Sequence, residues 1–277
     1  MTGVKEMSSL KQNRWFVRAA NPSRRVRLFC FPYAGGSAAS FAGWQAKVDG
    51  TIDVCALQLP GRASRFGDAP YRSMPELVRG IAKIVLGQDD LPFAFFGHSL
   101  GALIAFEVAS YCHVHGLPTP KRLFVSGCDA PQARRRLREL HLCSDAELIA
   151  ALEDFSGTPP EVLRDRDLMA VLLPTLRADF FLAETYQYQA RPPLNIPISV
   201  LAGRLDKYAA SDVAKEWRRE TTHACDVRWF AGGHFFINQE RAAILEYLSS
   251  ELSELQSELG NPEHEGVCDL LPNSVPG

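Results

Sequence analysis

Short apolar runs alternate along this chain with stretches whose apolar residues recur at helical spacing. Continuous apolar runs are typical of strands buried on both faces, and spacings of three or four residues are typical of helices packed on a sheet. The predicted strands are 15–20, 26–31, 54–59, 93–96, 121–127, 196–202 and 227–230. The predicted helices in the same alternation are 41–48, 74–86, 100–113, 213–219 and a last one ending near residue 255. The pattern predicts an α/β fold, a mainly parallel sheet flanked by helices.

The alternation stops between about residues 130 and 194, where no strand pattern is recognisable. Ser144 and Glu147 have the spacing of a capping box, which predicts a helix through Leu152. A turn is expected at 157–160, and residues 167–188 carry a longer helical pattern that is interrupted near Pro174. We expect a helical insertion that covers the sheet as a lid.

Composition limits the class of protein. The chain has 277 residues, 46% of them hydrophobic, and a net charge of −2, so neither nucleic acid nor a membrane is expected as a partner. Its seven cysteines have no C-x-x-C spacing, which favours reduced thiols and a cytoplasmic protein. Neither a signal peptide nor a run of about 18 apolar residues is recognisable. We expect a monomer with a flexible tail at 1–13, one domain at 14–255 and a disordered tail at 256–277.

A strand, a sharp turn and a helix meet at Gly97-His98-Ser99-Leu100-Gly101. This G-x-S-x-G pattern is typical of a nucleophile elbow, in which a serine is held in a strained turn and small flanking residues let strand and helix pass closely. His98 is expected to have a packing role, because it points away from the site if Ser99 points into it. The pattern predicts Ser99 as a nucleophile.

A serine nucleophile needs a base, and the base needs an acid that holds its tautomer. In the α/β-hydrolase fold these residues follow in the order Ser, Asp or Glu, His, each after a strand. Asp206 follows the 196–202 strand and His234 follows the 227–230 strand, so we predict them as acid and base. Asp212 and Asp226 are alternatives for the acid. The remaining histidines are expected at the surface: 113, 115, 141, 223 and 264.

The reaction also needs two donors aimed at the oxyanion. We predict the backbone N–H groups of Leu100, directly after the nucleophile, and of Ala34, in the glycine-rich loop after the first core strand. The alternative for that loop is that its glycines only permit a tight turn. No cofactor or metal is expected, because no dinucleotide-binding, P-loop or metal-ligand motif is present.

The motifs together resemble the free-standing (type II) thioesterases that accompany polyketide and nonribosomal peptide synthases. The resemblance covers about residues 15–252 and includes a motif in the lid region that ordinary lipases and esterases lack. The motifs are Phe31-Pro-Tyr-Ala-Gly-Gly-Ser37, Leu59-Pro-Gly-Arg62, Phe95-Phe-Gly-His-Ser-Leu-Gly-Ala102, Leu123-Phe-Val-Ser-Gly127, Leu176-Arg-Ala-Asp-Phe180, Glu184-Thr-Tyr186, Gly203-x-x-Asp206 and Gly232-Gly-His-Phe235.

The resemblance implies an α/β-hydrolase that hydrolyses acyl thioesters on the phosphopantetheine arm of an acyl- or peptidyl-carrier protein and so clears stalled or wrongly loaded units. It implies Ser99, Asp206 and His234 as the triad, with Ala34 and Leu100 as oxyanion donors. The thiolate is a good leaving group, but the triad alone does not select thioesters over oxygen esters. Apolar lid residues are candidates for an acyl pocket, above all Met169, Leu172, Leu176 and Phe180, with Leu168, Leu173 and Phe181 as further candidates.

Two other functions remain open from the sequence. The same triad would serve an acyltransferase, or a carboxylesterase that acts on small soluble esters or acyl-CoA. A non-catalytic scaffold that binds a synthase is the third reading, although such proteins commonly lose a triad residue. Basic residues near the lid, Arg164 and the run 134–138, could meet an acidic carrier surface, or they could be a solvated loop.

Overall fold

The computed structural model describes residues 14–88, 90–133, 139–207 and 212–260, without the side chains of residues 214 and 258–260. The predicted N-terminal tail, residues 261–277 of the predicted C-terminal tail and the basic run 134–138 lie outside these residues. A seven-stranded sheet has the order β1-β3-β2-β4-β5-β6-β7. Its strands are β1 (Phe16–Val17), β2 (Val26–Phe31), β3 (Ile52–Leu57), β4 (Phe93–His98), β5 (Leu123–Ser126), β6 (Ile198–Gly203) and β7 (Cys225–Phe230).

Helices follow most of the strands. They are α1 (Met74–Leu86), α2 (Leu100–Val114), α3 (Asp145–Phe155), α4 (Pro160–Arg164), α5 (Arg166–Glu184), α6 (Val213–Trp217), α7 (Phe236–Gln239) and α8 (Arg241–Gly260). No helix among the described residues is both long enough and apolar enough to cross a membrane. Apart from β1, which is antiparallel to β3, the paired strands are parallel, so the predicted architecture is confirmed.

The strand order changes direction between β2 and β4. After β2 the chain moves to β3 on one side, and β4 pairs with the other side of β2 with Phe31 opposite Gly97. The loops that leave β2 and β4 therefore start next to each other and pass to opposite faces of the sheet. In open α/β sheets, ligands bind at such a point, beyond the carboxyl ends of the strands.

Alternate side chains of each strand enter two different apolar clusters, one on each face of the sheet. Phe29 and Phe95 pack on the face covered by α1 and α2, and Leu28 and Phe96 pack on the face covered by α8. Because side chains alternate along a strand, continuous apolar runs are the expected pattern for strands buried on both faces. This burial fixes the positions of the strand ends that carry the site.

The residues between β5 and β6 contain helices and no strand where the structure describes them. We call residues 139–184 the helical segment. Ser144 caps α3 by accepting from the Glu147 N–H at 3.3 Å, and Glu147 returns a bond to the Ser144 N–H at 2.8 Å. The predicted capping box is therefore present. The segment has its own buried apolar cluster, which includes Leu148, Leu163 and Leu173.

Three predictions about helices were wrong. The 41–48 region is a 3₁₀ turn at Ala38–Phe41 followed by other turns, with Gly43 at φ +77°. Pro174 does not interrupt α5: proline removes the N–H that would bond to the carbonyl of Ala170, and Ala170 is an exposed residue. The predicted last helix is in fact two helices, α7 and α8, and α8 continues to Gly260 instead of ending near residue 255.

Candidate active site

Ser99 lies between the end of β4 and the start of α2 with a strained backbone. Its φ of +55° and ψ of −118° are unfavourable for a residue with a side chain. Strand and helix approach closely here: a Cβ on Gly97 would lie 2.2 Å from the Gly101 carbonyl oxygen, and one on Gly101 would lie 2.1 Å from that of Phe31. Only glycine fits at both positions, so Ser99 is raised at the tip of a tight turn.

The loops after β6 and β7 bring Asp206 and His234 to Ser99. The two loops are hydrogen-bonded to each other, since the Leu205 N–H donates to the Gly232 carbonyl at 2.9 Å. Nε2 of His234 lies 3.0 Å from Oγ of Ser99, and Nδ1 lies 2.9 Å from Oδ2 of Asp206. The structure thus brings together the three side chains that the sequence singled out, in the geometry of a nucleophile, a base and an orienting acid.

The other candidate acids lie in different surroundings. Asp226 accepts from the Tyr247 hydroxyl at 2.7 Å, and Asp212 is exposed. Of the histidines expected at the surface, His115 and His223 are exposed, His113 and His141 are half-buried, and residue 264 lies outside the described residues. Nδ1 of His141 lies 2.5 Å from Oε2 of Glu184. The prediction for His141 was wrong, because a residue in an irregular stretch next to a helix gives no periodic sign of burial.

His98 is fully buried beside the site. Its Nδ1 lies 3.0 Å from Oγ of Ser126, and its ring packs against Tyr33, Phe235 and Phe236 at centroid distances of 5.9, 5.6 and 5.7 Å. Burial, together with the nearby His234, lowers the pKa of His98 well below its usual range. The ring is therefore neutral at neutral pH and supports the site by packing.

The loop after β2 places Ala34 in a tight turn, which we call the 33–36 turn. The Gly36 N–H donates to the Tyr33 carbonyl at 2.8 Å, and Gly35 has a φ of +73°. Within the described part of the chain, the Ala34 N–H donates to no protein acceptor. The Leu100 N–H, at the first position of α2, has no acceptor in its own helix. Both N–H groups predicted as oxyanion donors are thus available for a ligand.

A buried ion pair lies directly behind the 33–36 turn. Arg62 and Asp179 form two parallel hydrogen bonds, Nη1 to Oδ2 and Nη2 to Oδ1, each at 2.7 Å. Oδ2 of Asp179 also accepts from the Gly35 N–H at 2.7 Å, and Nη1 of Arg62 donates to the Gly36 carbonyl at 3.0 Å. The side chains of Arg62 and Asp179 are 7% and 3% exposed, so water does not compete for these bonds.

Ser99 and His234 open into a cavity of about 620 Å³ between the sheet and the helical segment. The four residues predicted to bind substrate all line it: Met169, Leu172, Leu176 and Phe180. Leu168 is exposed instead, and Leu173 packs in the core of the helical segment. The wall is largely apolar, which suits a hydrocarbon chain.

The helical segment also touches the loops that carry Asp206 and His234, beginning with α3. The ring of Phe155 lies 5.7 Å from that of His234, and Asp154 pairs with Lys207, the residue after Asp206. A Cβ on Gly157 would lie 2.1 Å from Cε2 of Phe235, so this loop rests directly on the residue after His234. The described residues include no group of three or more His, Cys, Asp or Glu side chains placed to hold a metal ion.

Several residues of the site were not predicted from sequence. Phe155 and Phe235 give no sign of a site role, since apolar residues at helical spacing or beside a histidine are more often core. Arg62 and Asp179 both occur in motifs that were recognised, but their contact joins positions far apart in the chain. A buried arginine needs a buried acid, so the signal was the presence of Arg62 in an otherwise apolar and glycine-rich loop.

Comparisons with known proteins agree with this geometry. Residues 26–252 match the family described as thioesterase domain. The chain is 38% identical over 241 residues to the gramicidin S biosynthesis protein GrsT of Aneurinibacillus migulanus, covering 87% of this chain and 94% of that protein.

Two solved structures have the same fold. The type II thioesterase BorB from the borrelidin biosynthetic cluster has a TM-score of 0.79 and 35% identity, covering 87% of this chain and 98% of BorB. YbtT, a type II thioesterase from the yersiniabactin NRPS/PKS pathway, has a TM-score of 0.74 and 32% identity, covering 84% and 96%. These similarities show that the chain belongs to the thioesterase domain family and has the α/β-hydrolase fold.

Proposed function

We propose that this protein is a serine thioesterase that removes acyl groups from the phosphopantetheine arm of carrier proteins of a polyketide or nonribosomal peptide synthase. Membership in the thioesterase family implies hydrolysis of a thioester. The synthase context comes from the relatives, which include type II thioesterases of such pathways. The observation that carries the proposal is the hydrogen-bonded series Ser99, His234 and Asp206 at the edge of an apolar cavity.

In the proposed reaction, Oγ of Ser99 attacks the thioester carbonyl carbon while Nε2 of His234 takes the hydroxyl proton. The carbonyl oxygen becomes negatively charged and accepts hydrogen bonds from the backbone N–H groups of Ala34 and Leu100. Collapse breaks the C–S bond, and the leaving thiolate receives the proton from His234. A water molecule then attacks the acyl-serine with His234 again as base, releasing the free acid. Asp206 holds the imidazole in the tautomer that both steps need.

The helical segment is proposed to be the lid that selects the acyl group. Met169, Leu172, Leu176 and Phe180 all lie on α5, so a single helix would form the wall against which the acyl chain packs. The thioester carbonyl would lie at Ser99, with the phosphopantetheine arm leading out to the carrier protein. The domain is proposed to extend from residue 14 to the end of α8, with the lid inserted between β5 and β6.

The test is hydrolysis of an acyl group from a loaded carrier protein, with the Ser99→Ala variant beside the wild type. We expect kcat to fall by a factor of about 10⁴ to 10⁶, because the nucleophile is lost. Ser250→Ala, a change at an exposed position of α8, is the matched control and should keep the wild-type rate.

A fluorophosphonate probe should label the wild type and Ser250→Ala but not Ser99→Ala. Hydrolysis by Ser99→Ala at the wild-type rate would refute the proposal. Absence of labelling in folded wild-type protein would favour a non-catalytic scaffold. An oxygen ester or acyl-CoA hydrolysed faster than the acyl-carrier protein would instead favour an esterase on small substrates.

A further inference from the structure

Helix α5 lines the cavity and also contacts the loop that contains Ala34, the predicted oxyanion donor. Oδ2 of Asp179 accepts from the Gly35 N–H, and Oγ1 of Thr175 donates to the Gly61 carbonyl, both at 2.7 Å. Leu176 lies against Gly35 so closely that a Cβ there would be 2.5 Å from Cδ2 of Leu176. One face of the helix therefore rests on the loops that follow β2 and β3.

The sequence of the 33–36 turn is compatible with two turn types, so a contact from outside the turn is needed to select one. Type I and type II turns differ by rotation of the central peptide, here the peptide between Ala34 and Gly35. The positive φ of Gly35 is that of type II. Glycine at this position fits both types, so the residues of the turn do not fix the choice themselves.

The carboxylate of Asp179 makes that choice. It accepts from the N–H of the central peptide, and rotation of the peptide would turn the Ala34 carbonyl oxygen towards the same carboxylate. Two oxygens with negative charge or partial charge repel each other in a buried site. Ala34 lines the cavity and directly precedes the central peptide, so rotation of that peptide changes ψ of Ala34 and disturbs the residue predicted to donate to the oxyanion.

We propose that Arg62 and Asp179 are positioning residues that hold the 33–36 turn in the form in which Ala34 can donate to the oxyanion. The inference rests on the serine mechanism proposed above. Asp179 holds the central peptide, and Arg62 holds both Asp179 and the Gly36 carbonyl at the end of the turn. Because Asp179 lies on α5, the helix that lines the cavity also orients the turn that polarises the thioester.

The experiment measures kcat and KM on an acyl-carrier protein for Asp179→Ala and Asp179→Asn, with kcat divided by the fraction of Ser99 that a fluorophosphonate labels at completion. Asp179→Ala should lower kcat about 100-fold and change KM less than about three-fold, because a donor acts on the transition state rather than on bound substrate. Asp179→Asn should recover about a tenth of the wild-type kcat, since its single side-chain oxygen can still accept from the Gly35 N–H.

A second variant separates positioning from folding. In Arg62→Met with Asp179→Leu, an apolar pair replaces the buried ion pair, which proteins often tolerate without loss of stability. We expect a melting temperature near that of the wild type and a kcat as low as that of Asp179→Ala. Asp53→Ala is the matched control: Asp53 is an equally buried partner of an arginine, Arg27, at the opposite end of the sheet. It should lower stability and leave kcat per labelled serine unchanged.

Wild-type kcat per labelled serine in both Asp179→Ala and the double variant would overturn the inference and leave the thioesterase proposal intact. A raised KM with unchanged kcat would also overturn it, because it would place Asp179 in substrate binding. Failure of the thioesterase proposal has a different signature, namely activity in Ser99→Ala.

Discussion

The backbone of Ser99 is strained, and its neighbours hold it in place. A non-glycine residue in a sparsely populated conformation costs about 1–3 kcal/mol. The Ser99 N–H donates to the Ser126 carbonyl of the adjacent strand at 2.8 Å, and the Ser99 carbonyl accepts from the first turn of α2. The elbow therefore depends on β5 as well as on the glycines beside it.

His98 gives a prediction about pH and stability. Its pKa is well below the unfolded value of about 6.5, so below that pH the unfolded chain takes up a proton that the folded protein does not. Stability from this residue is present above about pH 6.5 and is lost as the pH falls below it. The free energy of unfolding should decline by up to about 1.4 kcal/mol per pH unit from His98 alone.

Denaturant unfolding of the wild type and of His98→Asn between pH 7.5 and pH 5 measures this contribution. The variant should be less stable at pH 7.5 because the packing around the ring is lost, but its stability should depend less on pH. Parallel pH profiles for the two proteins would show that His98 is protonated equally in the folded and unfolded states.

The sequence made the three residues of the proposed triad predictable, but not the residues that support them. Ser99, Asp206 and His234 each follow a strand, and parallel strands bring their carboxyl ends to one edge of the sheet, so chain order implied their proximity. Arg62 and Asp179 meet because α5 lies across two loops, and no local pattern encodes how a helix crosses a loop.

At the scale of the elements, strands were predicted better than helices. Burial on both faces makes β2 and β4 continuous apolar runs with sharp ends. The false helix at 41–48 arose because 3₁₀ and other tight turns also place residues three apart on one side. Phe41 and Trp44 are indeed buried, with ring centroids 5.0 Å apart, so the pattern detected burial and not helical backbone.

The loop between α3 and α4 gives a prediction about turnover. Gly157→Ala would place a methyl group against Phe235, whose ring is held by Tyr33 and His234 at centroid distances of 4.9 and 5.3 Å. The loop or the ring must move, so the contact of the helical segment with the loop that carries His234 is loosened. We expect kcat/KM on acyl-carrier protein to fall about ten- to a hundred-fold, the effect of displacement by a fraction of an ångström to about 1 Å.

Gly67→Ala is the control for this change, because Gly67 is exposed and a Cβ there meets no atom within 4 Å. It should retain the wild-type kcat/KM. Equal activity in the two variants would mean that the loop yields without disturbing Phe235, and that the contact has no part in catalysis.

At the scale of the whole molecule, the cavity is formed where the sheet edge and the helical segment meet. Leu172→Trp would fill part of the space that α5 leaves open and should shorten the longest acyl group accepted. Each methylene group of the acyl chain that can no longer be buried in the cavity costs about 0.8 kcal/mol, which lowers kcat/KM about four-fold. A series of straight-chain acyl groups on one carrier protein measures the shift of the optimum.

Leu168→Trp adds the same bulk on the same helix outside the cavity, so the optimum should stay at the wild-type length. If both tryptophan variants change the optimum equally, the effect comes from the stability or motion of α5 and not from cavity length. If neither changes it, the acyl chain lies elsewhere.

The buried pair between Arg62 and Asp179 also limits how members of this family can be recombined. Residues 139–184 have an apolar core of their own, which makes them look like a cassette that could be exchanged between thioesterases. Asp179, however, has its partner in the loop after β3 and its bond to Gly35 in the loop after β2. If the pair orients the 33–36 turn as proposed, a chimera should keep turnover only where the exchanged segment has an aspartate at the position of Asp179 and the recipient has an arginine at the position of Arg62.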